Sequence, residues 1–132
     1  MADTLLSGTT IVEKETFLMV DRGDPTSPDF DETTLTTDGT WQTLDLSGIV
    51  PAGTKFVYLV VLILDDATDK AISFRKNGNG SVANLPSVRT QVANISNDNQ
   101  MWVACDDNRI VEYIGTNNTF TQIDLTVSMY VK

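Results

Sequence analysis

The chain contains no histidine, which removes the commonest general base and the commonest metal ligand together. Ser-His-Asp, Cys-His and His-metal catalysis are therefore closed to it. It has a single cysteine, so no internal disulfide can form. That residue, Cys105, lies in the apolar alternating run MWVAC and reads as a small buried hydrophobe. Positive charge is scarce: 9 Lys and Arg stand against 18 Asp and Glu, for a net charge of -9. A polyanion repels nucleic-acid phosphates, so a nucleic-acid partner is not expected. Anionic membrane surfaces are disfavoured for the same reason. Long apolar runs are missing too. The longest, FVYLVVLIL at Phe56–Leu64, is about half of what a helix needs to span a bilayer. No stretch keeps helical apolar spacing over three turns.

What is present is alternation. In TFTQIDLTVSMYVK, Ile123, Leu125, Val127, Met129 and Val131 share one parity, with Asp124, Thr126, Ser128 and Tyr130 on the other. Further strands are expected at Thr10 to Val20, Thr40 to Leu46, Lys55 to Leu64, Ala71 to Lys76, Ser87 to Asn94, Met101 to Cys105 and Arg109 to Ile114. Turn signals separate them. Pro51 and Gly53 suit a type I turn, Asn77 to Gly80 tolerate positive φ, Asp106 to Asn108 read as a tight hairpin, and ISNDNQ reads as a turn before Met101. The fold class is all-β: a single-domain antiparallel β-sandwich or jelly roll of about eight strands. Residues 1–39 read as an N-terminal strand followed by an acidic arm, and residues 40–132 as the sandwich core, in one folded domain overall.

Two segments ask for a partner. The strand Lys55 to Leu64 is apolar on both parities: Phe56, Tyr58, Val60, Leu62 and Leu64 on one, Val57, Leu59, Val61 and Ile63 on the other. An antiparallel sandwich buries one face of a strand, so the other is covered by the long arm, by a barrel-like closure or by a neighbouring subunit. The arm has little apolar content, so a subunit is expected, with Val57, Leu59, Val61 and Ile63 as the candidate oligomer interface. The second segment is Asp21 to Gly39, DRGDPTSPDFDETTLTTDG, longer than an ordinary loop. Nine of the 18 acids precede residue 40. Asp29, Phe30, Asp31, Glu32 and Leu35 are its candidate contacts with a neighbouring subunit or another partner.

Other constellations carry less. Arg22-Gly23-Asp24 spells an integrin-recognition tripeptide that also occurs by chance, in a loop where Gly serves the turn. Asp65, Asp66 and Asp69, with Asp106, Asp107 and Asn108, are potential calcium ligands, but they lack EF-hand spacing and suit turn geometry equally. Asp45 and Asp124 are the nearest approach to a glycosidase carboxylate pair, each on the polar parity of a strand. Trp41, Trp102, Tyr58 and Tyr113 read either as an aromatic platform for a sugar ring or as core and interface packing. The expectation is no catalytic residue, no metal site and no cofactor.

From Thr40 onward the series WQTLDLSGIVPAGTKFVYLVVLIL, ISFRKNG, RIVEYIG and IDLTVSMYVK resembles small β-sandwich proteins of tailed bacteriophages and prophages. Such proteins include capsid decoration or cement proteins and modules of tail fibres, typically trimeric and jelly-roll-like. The resemblance implies a non-enzymatic virion structural protein, made in the host cytoplasm and placed on the capsid surface. It implies a homotrimer whose other partner is the major capsid protein, with a tail-fibre or carbohydrate-binding module as the alternative. At the level of residues it marks scaffold positions only: Trp41, Asp45, Leu46, Pro51, Phe74, Arg75, Gly78, Glu112 and Tyr113.

Overall fold

The structure, a computed structural model, describes residues 16–132. Nine strands follow one another: β1 Met19–Asp21, β2 Phe30–Asp31, β3 Trp41–Asp45, β4 Phe56–Leu64, β5 Ala71–Lys76, β6 Ser87–Arg89, β7 Asn97–Ala104, β8 Ile110–Gly115 and β9 Gln122–Val131. One sheet runs β1-β9-β4-β7, with β2 also paired to β9; the other runs β3-β8-β5-β6. Every pairing is antiparallel. Taken together, β1 and β2 form one interrupted edge strand along β9, which leaves four strands in each sheet. Every connection from β2 to β9 except β5–β6 crosses between the sheets, the winding of a jelly roll. The all-β sandwich read from the sequence is therefore the observed fold.

The core lies between the sheets. Val57, Leu59, Val61 and Ile63 of β4 are fully buried there beside Ile72, Phe74, Val111, Ile123, Leu125 and Val127. This corrects the candidate interface: these four residues face the partner sheet of their own chain, and the outward parity of β4 is Phe56, Tyr58, Val60, Leu62 and Leu64. Both parities of β4 are apolar, so alternation alone did not say which one the second sheet covers.

Strand β9 carries a second correction. Its register against β4 shifts between Tyr58, paired with Met129, and Leu59, paired with Val127. Ser128 is the extra residue of a β-bulge, which inverts the parity beyond it. Ile123, Leu125 and Val127 point inward, Tyr130 packs against the core, and Met129 and Val131 turn outward.

Of the segment read as the turn ISNDNQ, Asn97 to Gln100 form the first half of β7, and only Ile95 and Ser96 precede the strand. Asn97 and Asn99 pair with Ile63 and Val61 and so share the inner face. Their side-chain amides donate to the carbonyls of Arg89 (2.6 Å) and Ser87 (2.8 Å). Polar side chains thereby satisfy the edge of β6 and close one side of the sandwich. Asp106 to Asn108 do not make a hairpin, because β7 and β8 belong to different sheets and the turn carries the chain across. The turn after Pro51 also sits one residue later than read: Thr54 N–H donates to the Pro51 carbonyl, and Gly53 takes φ +90° at the third position, where a side chain would be strained. The expected strand Ser87 to Asn94 is shorter, ending at Arg89. That at Thr10 to Val20 is observed from Met19; residues 10–15 lie outside the described residues.

Candidate functional site

The acidic arm engages its own domain. Asp29 N–H donates to the Leu125 carbonyl (2.9 Å), and Phe30 and Asp31 pair with Leu125 and Asp124 as β2. The Asp29 carboxylate accepts from Val127 N–H (2.8 Å) and from Arg22 Nη1 (2.5 Å), which also reaches the Val127 carbonyl. Leu35 is buried in the core cluster, Phe30 packs against it, and a Glu32 oxygen lies 3.5 Å from Ile123 N–H. Asp31 folds its carboxylate onto Thr33 and Thr34. The Thr33 hydroxyl, chiefly, holds that carboxyl below its ordinary range. Leu35 is buried and the Asp29 carboxylate is occupied within the chain, which corrects their reading as contacts for a partner; Phe30 and Asp31 are half-buried along β9, and Glu32 stays exposed. Sequence reasoning missed this because DFDE looks like loop, while β9 offers an open edge that a two-residue strand can join. Arg22, committed to Asp29 and Val127, is likewise no free integrin ligand.

The potential calcium ligands separate. Asp65 follows the end of β4 and Asp106 follows the end of β7, and these strands are antiparallel partners, so the two groups sit at opposite ends of the sandwich, roughly 30 Å apart along a nine-residue strand. Asp65 is buried and accepts from Ala67 N–H (3.2 Å). Asp106 accepts from the Asn77 amide (2.8 Å) and from the N–H groups of Asn108 and Ile110. The Asn77 bond is the main reason its carboxyl lies below the usual range. Among the described residues no cluster of three His, Cys, Asp or Glu is placed to hold a metal ion. Asp45 on β3 and Asp124 on β9 belong to different sheets, each on the parity turned away from the core. They do not face one another as a catalytic pair. Cys105 is buried, its Sγ directed at the Thr54 carbonyl (3.3 Å), and burial pushes its thiol pKa up.

The four aromatics split three ways. Tyr113 is buried, and its hydroxyl accepts from Thr36 N–H (2.8 Å). Trp41 lies beneath the Arg75 guanidinium, 3.7 Å from ring centroid to Cζ. Arg75 in turn donates through Nε and Nη2 to one oxygen of Glu112, whose other oxygen accepts from Gly78 N–H (2.9 Å). Trp41, Arg75, Gly78 and Glu112, four of the scaffold positions, therefore meet in one network. Tyr58 and Trp102 remain together on the outer face of the other sheet, ring centroids 4.9 Å apart and tilted by 49°.

Among the described residues, that outer face carries an exposed apolar patch. Cross-strand pairing lines up Met19, Val131, Phe56 and Ala104 in one row across β1, β9, β4 and β7, and Met129, Tyr58 and Trp102 in the next. Four strands span about 14 Å at the usual spacing. Phe17 extends the patch and is 62% exposed; Met19 is 64%, Phe56 42% and Trp102 39% exposed. The apolar character stops along the strands, where Val60 meets Thr126 and Gln100, and Leu62 meets Asp124 and Asp98. The rim carries both charge signs, with Lys55, Lys132 and Asp107 at the apolar end and Asp21 on β1. The Ser128 bulge makes this patch, because it is what turns Met129 and Val131 outward.

Compared with known proteins, the chain matches no family model and no curated protein.

Proposed function

We propose that the protein is a structural, non-enzymatic assembly module that self-associates through the apolar end of its outer β1-β9-β4-β7 face, and that the assembly it serves is a virion, as a capsid decoration protein. The observation that carries this reading is the contiguous apolar row from Met19 to Ala104. Scattered surface hydrophobes are ordinary, whereas a rimmed patch several strands wide marks an interaction site. A second copy is the fitting occupant, because a rim with acids and bases at different positions complements itself when copies are related by symmetry. The virion role rests on the likeness of Thr40 to Lys132 to small phage sandwich proteins. A trimer there would present each capsid contact three times, so weak individual contacts add into firm attachment.

The test of the virion role is electron microscopy of native particles carrying this chain, labelled with an antibody fragment raised against it. Label distributed over the capsid surface is the expected result. Label confined to the tail, or particles that never carry the chain, would overturn it.

A further inference from the structure

The edge of β7, where Trp102 borders the self-association patch, carries the further inference, which rests on the contact between copies centring on the Met19 to Ala104 row and leaving the Trp102 ring accessible. Between β7, an edge strand of one sheet, and the loop of residues 77–86, which joins β5 to β6 of the other, lies a cleft of about 230 Å³ on the flank of the sandwich. Trp102, Val103 and Ala104 line it from β7, and Lys76, Asn79, Ser81 and Asn84 from β5 and the loop. We propose that this cleft is a binding site for a neutral pyranose ring, stacked against Trp102 and hydrogen-bonded by the loop.

Both sides are built before any ligand arrives. Tyr58 braces the Trp102 ring at 4.9 Å, and the Tyr58 hydroxyl is itself fixed by the Gln100 side chain (2.9 Å). The loop is held along its length. Gly78 N–H donates to Glu112, Arg75 Nη1 donates to the Ser81 carbonyl (2.6 Å), and Phe74 N–H donates to the Pro86 carbonyl (2.9 Å). Arg75 and Glu112 are only 12% exposed at their side chains, so a largely desolvated ion pair is spent on anchoring a loop whose own side chains at Asn79, Ser81 and Asn84 stay exposed. A preformed site loses less freedom on binding than a mobile one.

The chemistry selects the ligand class. An exposed indole offers a flat apolar surface to the C–H face of a sugar, and amides and a hydroxyl match ring hydroxyl groups as donors and acceptors. The cleft is smaller than the roughly 300–1,000 Å³ of pockets for drug-sized ligands, which suits one ring. Arg75 is committed to Glu112, which leaves Lys76 as the other cation in the lining, and the chain carries -9 overall, so the field of the whole protein disfavours an acidic sugar.

The experiment is an NMR titration of the intact chain with methyl glucoside, methyl galactoside, N-acetylglucosamine and N-acetylgalactosamine, each also tried as a short oligosaccharide. At least one should shift the Trp102 indole signal and the amides of residues 78–86 saturably, with a dissociation constant near about 1 mM, while the Trp41 indole stays put. Asn79→Ala, at an exposed position outside the positive-φ region, should weaken that binding at least fivefold, and Trp102→Ala should abolish it. No saturable shift with any probe, or shifts that persist unchanged in both variants, would overturn the proposal.

Discussion

Arg75 and Glu112 form a side-on pair across β5 and β8, with Nε at 3.2 Å and Nη2 at 3.0 Å from the same carboxylate oxygen. The pair is nearly desolvated, since each side chain is 12% exposed, and both ends are needed: the other Glu112 oxygen holds Gly78, and Arg75 covers Trp41. Removing one partner strands the other charge, which is the costly way to break a buried pair. Glu112→Gln and Arg75→Met should each lower stability by roughly 2–4 kcal/mol in urea unfolding. The double variant should be less damaged than the sum of the two, because neither charge is then left alone.

The arm should matter to folding as well as to any assembly. Leu35 is buried among core residues, so Leu35→Ala should cost about 2–3 kcal/mol. Asp29→Ala leaves Val127 N–H and the Arg22 guanidinium short of an acceptor, at a cost of roughly 1–3 kcal/mol. Unfolding midpoints of the two variants check both figures, and wild-type values would show that the arm is not part of the core.

Gly115 should be intolerant. A Cβ there would fall 2.5 Å from the Thr37 methyl and 3.3 Å from its Cα, and Thr37 is tied down by its hydroxyl bond to the Asn118 carbonyl (2.7 Å). Gly115→Ala should therefore destabilise by about 1–3 kcal/mol, and Thr37→Ser in the same chain should relieve part of the loss by removing the obstructing methyl.

Acid should weaken the protein through its turns. Asp31, Asp38, Asp45 and Asp106 are held below the ordinary aspartate value of 3.8, chiefly by the Thr33 hydroxyl, the Thr40 hydroxyl, the Ser47 N–H and the Asn77 amide respectively. A carboxyl with a lowered folded-state pKa contributes stability that is complete above its unfolded value and lost as pH falls through the folded one. The urea midpoint should thus stay level, as far as these groups govern it, from neutrality to about pH 5 and fall below about pH 4. Asp106→Asn should flatten part of that fall.

Sequence patterning located β3, β4, β5, β8 and β9 to within a residue or a few, because each is an alternating or continuous apolar run set between turn residues. It could not orient β4, where Phe56 and Val57 are equally apolar and only the position of the second sheet decides between them. Nor could it see the Ser128 bulge, since a single inserted polar residue in IDLTVSMYVK looks like any outward position. The Asn-rich start of β7 was opaque for another reason: Asn97 and Asn99 are strand residues because they satisfy the carbonyls of β6, a contact with no local signature. Of the aromatic set, nothing in the spacing of Trp41, Tyr58, Trp102 and Tyr113 tells which pair shares a face; the register of β4 against β7 does.

The most direct test of the account is the solution mass of the intact chain by light scattering, alongside Phe56→Asp and Leu59→Asp. If the outer face joins copies, the wild-type mass should be about three times 14.5 kDa at micromolar concentration, and Phe56→Asp should give a folded single chain. Leu59→Asp, which puts a charge into the core, should unfold. A wild-type mass of one chain, or a Phe56→Asp variant that assembles as the wild type does, would contradict it.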